Sequence, residues 1–160
     1  MDKRKLIAAI LDSLEKDLEV QKAAAFATYQ AATGEESKAE NEYDTRGLEA
    51  SYLAGAQAKR VGEIEELLTI YKFVEIKNFT SEDKIGATAL VKVDLNGKTS
   101  LLFLLPKGGG VSIQFEGQTV QVLTPNSPLG EALVGLQQGD TAFVETGPDR
   151  AKEYEILSVK

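Results

Sequence analysis

From Leu6 to Ala32 the chain carries neither glycine nor proline, and its apolar positions recur in steps of three and four. Ile7, Leu11, Leu14, Leu18, Ala25 and Ala32, with Thr28 in the same line, form one stripe. That spacing keeps one side of a helix apolar and suits a coiled-coil seam. A second stripe runs through Ala50, Leu53, Gln57, Arg60, Ile64, Leu67 and Tyr71. Two such stripes with a polar stretch between them predict an antiparallel helical hairpin over residues 1–75. Pairing Leu6 with the neighbourhood of Tyr71 puts the turn near residue 39 and brings Gln21 close to Gln57. A polar pair in an apolar seam fixes register at some loss of stability.

Alanine fills the half of each arm nearer the turn, with Ala23, Ala24, Ala25, Ala27, Ala31 and Ala32 in the first. Ala50, Ala54, Ala56 and Ala58 answer them in the second. Small side chains give a slim rod, and alanine is also the best helix former. Arms of about 30 residues extend roughly 45 Å at 1.5 Å per residue. Gly47 fits the turn, and Gly55 and Gly62 are expected to mark close packing or a bend.

Near Val74 the period shortens to two and glycine and proline appear. Thr88 to Asp94 and Thr99 to Leu105 read as strands joined at Asn96-Gly97, a strong hairpin signal. Val111 to Phe115 and Thr119 to Leu123 form a second hairpin at Glu116-Gly117. Thr141 to Glu145 and Glu153 to Val159 form a third over Gly147-Pro148. Ser127-Pro128 opens a short helix, with Ser as N-cap and Pro in the first turn, that ends near Gly135. The expected fold class is α+β: a helical hairpin over 1–75, then a small antiparallel sheet with one helix over 76–160.

The length of 160 residues allows one domain or two small ones. With no apolar run near the roughly 18 residues that cross a bilayer, no membrane association is expected. Met1-Asp2-Lys3-Arg4 leads into a helical pattern rather than a secretory signal, so a cytoplasmic address is expected. The chain has no His and no Cys. That removes the usual general base, the common zinc ligands and a thiol nucleophile. Hard cations with oxygen ligands stay open. A net charge of -7 argues against broad binding to a nucleic-acid backbone.

The candidate chemistry lies between the arms, where Glu35, Glu36, Glu40, Glu42, Asp44 and Glu49 cluster. On a continuous helix Glu36, Glu40 and Asp44 share one face, where like charges repel by a few tenths of a kcal/mol per pair. The cluster suits either a metal or cationic partner, or a solvated helix end. Gly97-Lys98-Thr99-Ser100 copies the end of a phosphate-binding loop, but Lys92 stands where that signature needs glycine and a strand follows. Gly108-Gly109-Gly110 reads as a loop.

The stretch Asn126-Ser127-Pro128-Leu129-Gly130-Glu131-Ala132-Leu133-Val134-Gly135, then Gly139-Asp140, then Tyr154-Glu155-Ile156-Leu157-Ser158-Val159, resembles the Gre family of bacterial transcript-cleavage factors. The family's C-terminal domain would span residues 76 to 160 with an FK506-binding-protein-like fold, and its coiled-coil hairpin residues 1 to 75. Glu40-Asn41 and Glu42-Tyr43 match the pairs at the family's tip, without the spacer between them, and Glu35 or Glu36 stands in for its Asp. A second frame starts at Asp44 and runs through Glu49 to Tyr52.

The resemblance implies a protein that is not itself an enzyme but acts on RNA polymerase. Its tip would enter the polymerase's secondary channel and meet the backtracked RNA 3′ end. Glu36, Glu40 and Asp44, with Glu42 next, would be the tip acids, and Asn41 and Tyr43 would shape the tip. Glu40 and Asp44 would hold magnesium only in complex with the polymerase, with no cofactor bound alone. Ser127, Pro128, Gly135 and Asp140 mark the docking domain, and a monomer is expected. Three other readings stay open: a channel-binding modulator without cleavage, a dimerisation or adaptor hairpin, and an independent acid-pair enzyme.

Overall fold

A computed structural model describes residues 1–33, 46–147 and 150–160. The elements are helices α1 (Lys3–Thr33) and α2 (Arg46–Lys72), strands β1 (Leu90–Leu95), β2 (Lys98–Leu104), β3 (Ser112–Phe115) and β4 (Gln118–Leu123), helix α3 (Pro128–Leu133), and strands β5 (Thr141–Gly147) and β6 (Arg150–Val159). Two compact units result: Met1–Ala9 with Val74–Lys160, and Ile10–Phe73.

In the first unit the six strands lie in the order β3-β4-β2-β1-β6-β5. All neighbours pair antiparallel except β2 and β4, which are parallel. The expected small antiparallel sheet with one short helix is present, with one parallel pair within it. The β3–β4 hairpin folds so that β4, not β3, meets β2. Two tight turns carry the sequence signal expected of them. Asn96 and Gly97 have φ of 55° and 82°, Glu116 and Gly117 of 49° and 75°. Positive φ at both central residues is the twist that a two-residue hairpin needs.

Strand alternation sorts the sheet's two faces. Val91, Val93, Leu102, Leu104, Leu123, Ala142, Ile156 and Val159 form one core, to which α3 contributes Leu133. On the opposite face Leu90, Phe103, Val120 and Val122 are buried to 2% exposure or less. Within this unit the start of α1 brings Leu6 and Ile7, both buried.

Lys3 fastens that start. Its ammonium donates to the carbonyls of Thr88 and Lys160, each at 2.9 Å, and to that of Lys77. The Phe79 ring centroid lies 4.9 Å away, in cation–π range. Burial pushes the Lys3 ammonium down to about 8. Thr88, a β-branched residue at φ 66°, is held by three bonds. Its N–H donates to Leu104, its hydroxyl accepts from Lys77 N–H, and its carbonyl accepts from Lys3. Asp2 caps α1, its carboxylate accepting from the N–H groups of Arg4 and Lys5.

The second unit is a pair of helices. Glu15–Lys72 (3.5 Å) and Lys22–Glu65 (2.9 Å) bridge one flank at seven-residue steps that run oppositely on the two helices. Asp17–Arg60 (3.8 Å) bridges the other flank. The helices are therefore antiparallel. Exposed pairs of this kind are screened by water and contribute little, so they report register more than they stabilise. Between the flanks Ile10, Leu14, Leu18, Ile64, Leu67, Leu68 and Tyr71 are buried. Burial lifts the Tyr71 hydroxyl to about 12.

The second stripe needs correction above Ile64. Ala54, Gln57 and Val61 are half-buried, whereas Leu53 and Arg60 are exposed. The alternatives share Gln57 and Ile64, and the apolar Val61 takes the seam while Arg60 joins the flank. The ion-pair register sets Gln57 level with Ala25 and Gln21 level with Val61. The expected Gln21–Gln57 pair is replaced by separate fates. Gln21 donates to Asp17 on its own helix at 3.5 Å, and among the described residues Gln57 Oε1 is buried without a hydrogen-bond partner. Gly55 and Gly62 do not mark close packing, since a Cβ at either meets nothing within 4 Å.

Candidate functional site

The acids singled out by sequence, Glu36, Glu40, Glu42 and Asp44, lie outside the described residues, as do Asn41 and Tyr43. The described parts of the hairpin flank them. Toward those ends the character of the rod changes. The charged rungs Glu15–Lys72 and Lys22–Glu65 give way, one seven-residue step on, to Tyr29 across from Ala58. Tyr29 is 59% exposed and Phe26 62%. On α2 Leu48, Tyr52 and Leu53 are also exposed. These apolar side chains were missed as functional candidates. For Phe26, Tyr29, Leu48 and Tyr52 the signal in the sequence was an apolar residue off the seam, whereas Leu53 was expected within it. Exposed apolar side chains grouped on one stretch of a helix pair are a mark of contact with another molecule.

Carboxylates suit hard cations such as magnesium, which take oxygen ligands. Among the described residues no three acids converge into such a ligand set.

The C-terminal motif residues form a folded end to the sheet unit. Ser127 has extended backbone, and its hydroxyl accepts from Gly130 N–H at 3.1 Å and donates to the Thr124 carbonyl at 2.7 Å. Pro128 starts α3 and suits the first turn because it lacks an N–H. Gly130 is required by contact: a Cβ there would lie 2.0 Å from the Thr124 carbonyl oxygen. Gly135 (φ 86°) follows the helix and donates to the Ile85 carbonyl at 2.9 Å. The Asp140 carboxylate accepts from Gln137 N–H at 2.9 Å, and the Asp140 carbonyl accepts from Ile156 N–H. Asp140 thereby closes the turn that launches β5 beside β6. Ser127 and Asp140 are both engaged in local turns, and no hydrogen bond joins them.

No family model matches the chain. Three curated transcription elongation factors named GreA are similar to it. That of Streptococcus gordonii is 30% identical over 106 residues, 65% of this chain and 63% of that protein. That of Methylococcus capsulatus is 29% identical over 121 residues, 74% of this chain and 70% of the relative. That of Cereibacter sphaeroides is 27% identical over 154 residues, 96% of this chain and 92% of the relative. The chain thus spans under two-thirds of the length of the first relative and nearly all of the third. Among solved structures, GreA factor homolog 1 of Thermus thermophilus aligns over 94% of both chains at 20% identity, with a TM-score of 0.37.

Proposed function

With kinship to the Gre transcription elongation factors as its premise, we propose that this chain regulates transcription by binding RNA polymerase in the cytoplasm. The hairpin enters a confined channel of the enzyme, and the sheet unit docks outside it. The observation that carries this reading is the antiparallel helix pair whose far stretch exposes Phe26, Tyr29, Tyr52 and Leu53. A hairpin that remained in water would gain nothing from that apolar surface, whereas one enclosed by protein buries it.

In this reading Glu36, Glu40 and Asp44, with Glu42 next in order of preference, bring carboxylate oxygens to the polymerase's own centre, and Asn41 and Tyr43 shape the approach. Glu40 and Asp44 would help to hold a magnesium ion whose remaining ligands the polymerase supplies. When bound, such an ion stabilises charge on the attacking and leaving oxygens of a phosphodiester hydrolysis. The chain's residues supply negative charge and orientation, and the polymerase remains the enzyme. The protein acts as a monomer, because the polymerase encloses the hairpin surface that a second copy would cover.

The test is RNA cleavage in stalled, backtracked polymerase complexes with and without the protein. Stimulation that disappears in a Glu40→Ala, Asp44→Ala variant still able to bind polymerase is the expected result. Stimulation intact in that variant refutes the tip assignment. Binding without stimulation by the native chain refutes the cleavage role and leaves a channel-binding modulator. Absence of polymerase binding refutes the whole reading.

A further inference from the structure

One sheet face and one sheet edge remain unaccounted for by the tip reading. β5 is the last strand of the sheet, seven residues long, while the opposite edge strand β3 has four. Among the described residues, Thr141–Gly147 makes backbone hydrogen bonds to β6 alone. Its outer N–H and C=O groups therefore form an open template for another strand.

The side chains beside that edge are unusual. Ala142 points into the core, so alternation turns Thr141, Phe143 and Glu145 to the other face. Phe143 is 60% exposed. Its register partner on β6 is Glu153, and Glu155 lies two residues on, opposite both Thr141 of β5 and Asp94 of β1. Asp94 and Glu155 are thus like charges directly across a strand pair, an arrangement that opposes folding. Lys92 is the nearby base on this face. Among the described residues no ion pair joins it to Glu145, Glu153 or Glu155.

We propose that the β5 edge is a docking site for an extended, basic segment of a protein partner, which adds as a seventh strand. Strand addition supplies main-chain hydrogen bonds, and alternate side chains read the face beside it. An arginine or lysine at every second position would lay its aliphatic stem or guanidinium on Phe143. Its charge would meet Glu145 and Glu153, with Glu155 one row further. Charge complementarity selects this occupant, because the same carboxylates repel nucleic-acid phosphates and anionic lipid. The β5 edge is independent of the tip assignment, since none of the acids between the arms belongs to it.

The probe is a capped six-residue peptide alternating Arg and Val, titrated into the full-length protein and followed by amide NMR shifts and calorimetry. Shifts confined to residues 141–147 and 150–155 are expected, with affinity that falls as salt rises. Phe143→Ser should weaken binding about tenfold. Glu153→Lys with Glu155→Lys should abolish binding while leaving the protein as stable as before or more so. If that double variant fails to fold, Glu153→Gln with Glu155→Gln serves, with binding expected to drop at least tenfold. No binding by the native protein, equal binding of a Glu/Val peptide, shifts centred on the helical hairpin, or unchanged affinity in Phe143→Ser would each overturn the proposal.

Discussion

Replacing Gly130 by alanine tests whether the C-terminal motif is read correctly as a packing device. By propensity alone the change should help, since alanine in a helix is favoured over glycine by about 1 kcal/mol. The structure reverses the sign. The added Cβ would sit 2.0 Å from the Thr124 carbonyl oxygen and 2.9 Å from Ser127 Oγ. That carbonyl is a backbone atom accepting from both Ser127 N–H (3.0 Å) and Ser127 Oγ (2.7 Å). It cannot retreat without straining both bonds, each contributing about 1 kcal/mol. Overpacking adds about 1–3 kcal/mol. After subtracting the propensity gain, a net loss of about 2–4 kcal/mol is expected. For a chain of this size the sheet unit should melt roughly 4–16 °C lower. Amide exchange at β1 and β2 under rising urea reads that unit's stability by itself. Gly62→Ala is the companion, because nothing lies within 4 Å of its Cβ position. It should stabilise the hairpin by about 1 kcal/mol. A Gly130→Ala protein as stable as the parent would refute the contact argument, and a destabilised Gly62→Ala would show that open space was misjudged.

Gln57→Leu should stabilise the hairpin by about 1–2 kcal/mol, because it removes a buried acceptor that has no partner; a lower helical melting midpoint would contradict this. Lys3 gives a pH signature. Its proton is lost near pH 8 in the folded chain, against an ordinary value of 10.5. Between those values the unfolded chain holds the extra proton, so folded stability rises with pH there. The difference in urea midpoint between the parent and Lys3→Met should therefore shift toward the parent from pH 7.5 to about 10, and a flat or opposite trend would refute it. Thr88→Gly should cost stability despite relieving the positive φ, because it removes the hydroxyl that accepts from Lys77 N–H. A more stable variant would mean that backbone strain outweighs that bond.

Much of the architecture followed from local rules that need no tertiary knowledge. A step of three and four in the first arm can bury only one side of a helix, and Leu14 and Leu18 are buried as that stripe requires. Asn96-Gly97 and Glu116-Gly117 set positive φ in place, and Ser127-Pro128 set a helix start. Each is a property of a few neighbouring residues. The second seam was less legible, because Arg60 and Val61 both fit the period and only the facing helix chose between them.

What tertiary structure alone decided is what depends on partners distant in sequence. The parallel β2–β4 pair arises from which strand of a hairpin reaches the sheet, a choice local pattern does not encode. Lys3 looked like an ordinary charge near the chain start until carbonyls from residues 77, 88 and 160 gathered around it. Phe143 alternates like any strand residue, and its exposure depends on nothing being packed over it. Period and turn chemistry are short-range forces written in consecutive residues, whereas burial and the company a charge keeps are set by the fold as a whole.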